Sequence, residues 1–130
     1  MKKFISILII IIILIFVGVV EEVLVHNFVK AFEEKTFSIS YDLEEANENI
    51  NTEKIKAKLT SLKDYWKNKK TKFCYLVMYD KIKMIDEGVA KLDISIKSND
   101  KALAQENIAV LLCYTASLHY IMGFNINNLF

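Results

Sequence analysis

Apolar residues fill positions 4–20 almost without interruption (FISILIIIIILIFVGVV), and charge returns only at the flanks, with Lys2 and Lys3 before the run and Glu21 and Glu22 after it. As a helix the run covers roughly 26 Å. The hydrocarbon layer of a bilayer is about 30 Å thick, and lysine stems snorkel across such a difference. The pattern predicts a cytoplasmic tip at 1–3 and a transmembrane anchor at 4–20. Beyond it, EEVLVHNFVKAFEEK keeps a helical rhythm to about Lys35. The next segment, TFSISY at 36–41, is β-branched and serine-rich. Asp42 followed by Glu45 then resembles a capping box that opens a short acidic helix to about Asn49. Residues 21–49 are therefore expected as a membrane-proximal helix with a weak point near 36–41.

From position 50 the pattern becomes that of a bundle. Asn51, with Glu53 in the following turn, is a start signal. Ile55, Leu59, Leu62 and Trp66 then fall on one helical face. A second phase runs Tyr75, Met78, Ile82, Ile85, Val89, Leu92 and Ile96 without a gap. The two phases do not join, and the mismatch places a break or bend in KNKKTK, residues 67–72. KSND at 97–100 reads as a turn with Asn99 or Asp100 as the next cap, and the last stripe is Ala104, Ile108, Leu111, Thr115, Leu118 and Met122. Folded antiparallel, the last two stripes match layer by layer: Leu92 with Ala104, Val89 with Ile108, Ile85 with Leu111, Ile82 with Thr115, Met78 with Leu118, Tyr75 with Met122. This predicts a hairpin of 73–97 and 100–122 inside a bundle spanning 50–122, with Gly123 as a left-handed C′ residue and an extended tail at 123–130.

Charge placement sets the expected orientation. Lysines on the N-terminal side keep that end in the cytoplasm and export the remainder. A cleaved signal peptide fits less well, because its apolar region is usually about 7–15 residues long and ends at a small-x-small site, which VGVVEEV lacks. No cysteine near the end of the run offers a lipid anchor. The near-neutral balance beyond it, with no arginine, leaves no footprint for nucleic acid. The sequence lacks proline and has only 3 glycines, which favours long helices.

Candidate chemistry is sparse. Cys74 and Cys113 are about ten residues out of register in the predicted hairpin, on the order of 15 Å, too far for a disulfide, and read as buried thiols. Lys54, Lys56, Lys58, Lys63, Lys67, Lys69, Lys70 and Lys72 cluster against only Glu53 and Asp64. They form either a polyanion face, with Lys67, Lys69, Lys70 and Lys72 as its centre, or a solvated face partly neutralised by Glu44, Glu45 and Glu48. The segment 108–124 carries no charge, so the last helix has more than one dry neighbour. Three accounts fit it: the centre of the bundle, a face for a second copy or a partner (Leu112, Tyr114, Ile121 and Phe124), or a second span. His26 and His119 have no metal-ligand spacing around them, Asp80, Asp86 and Glu87 read as helix-surface acids, and Trp66 as a lid on the core with its N–H in water.

The order of features resembles an uncharacterised family of single-pass proteins from clostridia and related spore-forming bacteria, domain of unknown function 4363. The resemblance rests on the anchor, on LTSLKDYW, on YLVMYDKIKMIDEGVAKLDISIKSNDKALAQENIAVL and on the terminal NNLF, over about residues 50–130 plus the anchor. The chain departs from it at Tyr79-Asp80, where the family often has a histidine beside the acid, and in a more apolar last helix. The resemblance implies architecture and topology and no activity.

The expectation is an all-α protein, an N-terminal transmembrane helix followed by a three- or four-helix antiparallel bundle outside the cytoplasm. Its expected role is a non-enzymatic interaction or scaffold module without catalytic residues, cofactor or metal. Membrane lipid is its partner at 4–20, and a second copy or a membrane protein at the last helix. The alternative is a module that binds envelope polyanions or anionic lipid through the lysine face at 54–72.

Overall fold

The first helix, α1 (Lys2–Glu45), is a single 44-residue rod about 66 Å long. A computed structural model describes residues 1–73 and 79–122, the last four of these as backbone only. The apolar part of α1 stands exposed on every side and is long and apolar enough to cross a membrane. From Val25 onward the helix buries one face, comprising Val25, Phe28, Val29, Phe32, Thr36, Ile39 and Leu43. The expected weak point at 36–41 is absent, since the helix continues to Glu45. Thr36 turns its hydroxyl back onto the Phe32 carbonyl at 2.8 Å, and Ile39 and Leu43 are fully buried. Packing of these side chains outweighs the low helix propensity of TFSISY. Asp42 lies inside the helix rather than capping a new one.

Ala46 takes an extended conformation and ends α1. After a short connection in which Ile50 is buried, Thr52 caps α2 (Glu53–Phe73) by accepting the Ile55 N–H at 3.3 Å. The core face of α2 is Ile55, Leu59, Leu62, Trp66 and Phe73. The break expected in 67–72 is also absent, because α2 runs through it and Phe73 stays on the buried face. Lys67 and Lys72 are exposed while the helix carries its stripe past them. Cys74, Tyr75 and Met78 lie outside the described residues, as do Gly123 and the tail.

α3 (Tyr79–Lys97) buries Ile82, Ile85, Gly88, Val89, Leu92, Ser95 and Ile96. It ends in a Schellman motif: the Asp100 N–H donates to the Ser95 carbonyl at 3.0 Å and the Asn99 N–H to the Ile96 carbonyl at 3.1 Å. Asn99 takes the left-handed conformation this requires, with φ 58°. Asp100 then caps α4 (Lys101–Met122), accepting the Leu103 N–H at 3.1 Å. Ala104, Ile108, Leu111, Thr115 and Leu118 are buried, as the sequence stripe requires.

Contacts run α1 to α2, α2 to α3, α3 to α4 and α4 back to α1, with no diagonal contact among the described residues. This is an up-down-up-down four-helix bundle. α4 lies against both α1 and α3, so its broad apolar surface has two helical neighbours. Gly88 brings α3 and α4 together, since a Cβ there would meet Leu111 Cδ1 at 2.7 Å. The α1–α2 and α3–α4 connections meet at one end. Asn99 Oδ1 accepts the Ile50 N–H at 2.7 Å, Asn99 Nδ2 donates to the Glu48 carbonyl at 3.1 Å, and Lys101 Nζ donates to the Ala46 carbonyl at 2.8 Å. The opposite end of the bundle therefore points along α1 toward its apolar segment.

Candidate functional site

The lysine-rich helix α2 is partly neutralised by its neighbours, though not by the acids expected from sequence. Lys58 and Lys54 reach Asp42 of α1 at 2.7 and 3.3 Å, while Lys56 pairs with Glu53 of its own helix. Glu44, Glu45 and Glu48 take no part in these pairs. Asp42 is buried, and the ion pair with Lys58, reinforced by Lys54, holds its carboxyl below the usual carboxylate range against the opposing pull of burial. The sequence hid this site, because an aspartate after TFSISY with a glutamate three positions on has the same signature as a helix start.

The α2–α3 seam is polar. Lys63 meets Asp93 at 3.3 Å, and Lys97 meets the same carboxylate at 3.0 Å. Burial pushes the Asp93 carboxyl upward, yet Lys97 and Lys63 together leave it below its ordinary value. Two turns nearer the apolar segment, Asp86 accepts the Trp66 indole N–H at 2.6 Å and also an ammonium N–H from Lys70. Trp66 thus donates to a carboxylate on α3 rather than to water. Its ring closes an aromatic cluster with Phe28 (5.6 Å) and Phe32 (6.3 Å), and Phe73 packs edge-on against Phe28 at 4.9 Å. Each of these acids is tied to a lysine of α2.

The centre proposed from sequence for polyanion binding is divided by the structure. Lys70 is bound to Asp86, and Lys69 lies 5.7 Å from the centre of the Tyr65 ring. Lys67 and Lys72 are exposed and enter no ion pair among the described residues.

The candidate interaction face is also divided. Leu112 and Tyr114 are half-buried and pack against the core, and Tyr114 approaches Gly88 of α3. The Ile121 side chain and Phe124 lie outside the described residues, as does the side chain of His119. Cys113, expected to be buried, is exposed and free, because it falls on the outward side of α4 with Val110. Other exposed apolar side chains went unread in the sequence. Phe37 and Tyr41, one turn apart on the outer face of α1, are 56% and 60% exposed. Their sequence signal is an i,i+4 aromatic pair, masked by the low helix propensity of TFSISY. His26 is exposed on α1, and no cluster of three metal-ligating side chains occurs among the described residues.

These features define a helical protein with one N-terminal helix apolar enough to cross a membrane, continuous with a four-helix bundle. Within that class, residues 23–129 match the sequence profile of the family described as Domain of unknown function (DUF4363), and the chain belongs to it. Comparison with curated proteins and with solved structures finds no match.

Proposed function

We propose that this is a single-pass membrane protein whose bundle is a non-catalytic interaction or scaffold module held outside the cytoplasm. The observation that carries the reading is the continuity of α1. One unbroken helix supplies both the apolar segment and a full edge of the core, so a load on the bundle reaches the span without an intervening linker. Lys2 and Lys3 on one side of the run and Glu21 and Glu22 on the other favour a cytoplasmic N-terminus and an exported bundle, with the run as an uncleaved signal-anchor.

The working surface consists of apolar groups that the bundle leaves uncovered: Phe37 and Tyr41 on α1, Leu103 and Val110 on α4, and the open edges of Leu112 and Tyr114. Polyanion binding along the whole lysine face is the weaker reading, because Lys54, Lys58, Lys63 and Lys70 already hold carboxylates. Two measurements test the proposal. A C-terminal reporter scores which side of the membrane the bundle occupies, and cytosolic activity would refute the topology. A fragment of residues 21–130 retains every described core side chain, the first being Val25. It should self-associate by light scattering or bind an apolar dye, and Phe37→Ser with Tyr41→Ser should reduce the signal. A monomer that binds no dye would count against an interaction module.

A further inference from the structure

The three contacts between α1 and α2 that share one register locate the lysines at the far end of α2. Lys54 reaches Asp42, Lys58 the Ser38 carbonyl, and Lys35 the Ser61 hydroxyl. Continued along the antiparallel pair, this register sets Lys67 level with Val29, Lys69 with Asn27 and Lys72 with Leu24. The Phe28–Phe73 ring contact also brings the end of α2 against the first turns of the α1 core face. Leu24 lies about 6 Å along the helix axis beyond Val20, the last residue of the apolar run, and Asn27 about 10 Å beyond it. The polar headgroup layer on each side of a bilayer is about 5–7 Å deep, and charges act across a Debye length of about 8 Å at physiological salt. We propose that Lys67, Lys69 and Lys72 bind the anionic phospholipid headgroups of the leaflet that α1 enters, so that the base of the bundle rests on that surface. The proposal rests on the reading of residues 4–20 as a span.

Three features of the structure support this assignment. Lys67 and Lys72 are exposed, and Lys69 keeps its ammonium at the ring of Tyr65 instead of on a carboxylate. The lysines farther from the apolar run, Lys54, Lys58 and Lys63, are the ones consumed by Asp42 and Asp93. Glu21 and Glu22 precede these lysine levels on α1 and enter no ion pair with them among the described residues. The uncommitted lysines of α2 are thus gathered at its end nearest the headgroup layer, about 6–14 Å along the axis beyond the apolar run.

The test uses the full chain in lipid nanodiscs of phosphatidylcholine alone and of an equimolar mixture with phosphatidylglycerol. Lysines are acylated with a water-soluble reagent and quantified by mass spectrometry. Lys67, Lys69 and Lys72 should lose reactivity several-fold in the anionic discs and regain it at high salt, while Lys56 and Lys91, nearer the two turns, stay unchanged. The triple variant K67Q/K69Q/K72Q should abolish enrichment of phosphatidylglycerol around the incorporated chain, and K56Q/K91Q should leave it intact. Incorporation with equal lysine reactivity in both discs overturns the proposal alone. Failure to incorporate in either disc overturns the span and the proposal with it. Protection by inorganic polyphosphate in phosphatidylcholine discs, without protection by phosphatidylglycerol, would assign the lysines to a soluble polyanion and overturn the lipid assignment.

Discussion

Asp42 brings a negative charge into the α1–α2 contact, where Lys58 and Lys54 answer it from the facing helix. Its folded carboxyl is held below the unfolded value, and so is that of Asp93. A depressed carboxylate contributes stability that is fully present above its unfolded value and is lost as pH falls through the folded one. The bundle is therefore expected to keep its urea midpoint from neutral pH down to about pH 4.5 and to lose stability steeply below that. Asp42→Asn should flatten this acid limb. At neutral pH the substitution should cost about 1–2 kcal/mol, less than a fully buried pair, because the lysine side chains are 67% and 32% exposed and stay hydrated. Gly88 makes a different demand, for space. Leu111 Cδ1 already occupies the volume a side chain would need. Gly88→Leu should lower the unfolding free energy by about 1–3 kcal/mol by overpacking the α3–α4 contact, measured by urea denaturation of the 21–130 fragment.

Individual helices were legible in the sequence to the extent that apolar spacing decided them. The stripes of α3 and α4 reappear as buried faces, and the turn between them ends in the Asn99 and Asp100 caps, because both signals are local. α1 and α2 depart from their local signals where tertiary packing overrides local preference. TFSISY is a poor helix in isolation, yet Ile39 and Leu43 are held in the core and Thr36 bonds back to its own helix. KNKKTK interrupts the apolar phase, yet Phe73 resumes it. The lysine partners were illegible for the same reason: Asp42, Asp86 and Asp93 are distant in sequence, and only helix pairing brings them to α2. A proline separates the two accounts of α1. If 36–41 were a hinge, Ser40→Pro would be tolerated. In a continuous helix it removes the hydrogen bond to the Thr36 carbonyl and its ring clashes there, at a cost of about 3 kcal/mol or more. Thermal unfolding followed by circular dichroism should show that loss, with reduced helicity in the folded baseline.

At the scale of the whole molecule, the direction of each helix is recorded in one side chain. Asn99 belongs to the α3–α4 turn yet bonds to Ile50 and Glu48 in the α1–α2 connection, and Lys101 adds a cap to the end of α1. Those bonds exist only if both turns lie at the same end, which in turn leaves the far end of α2 and the far end of α4 facing toward the apolar segment. The clasp therefore has a stability that can be separated from the turn it sits in. Asn99→Gly keeps the left-handed backbone and deletes both side-chain hydrogen bonds, so it should cost about 1–3 kcal/mol at a net ~0.5–1.5 kcal/mol per bond. Asn99→Ala deletes the same bonds and, unlike glycine, leaves a Cβ in the left-handed region without the short polar side chain that lets asparagine adopt it, adding about 1–2 kcal/mol. The expected order of urea midpoints is Asn99, then glycine, then alanine. If glycine matched the parent, the clasp would contribute nothing and the hairpins would be held at their turn end by the core alone. A glycine variant that also raised amide exchange at Ile50, with the middle of α4 unchanged, would place the lost energy in the contact between the turns rather than in the α3–α4 turn.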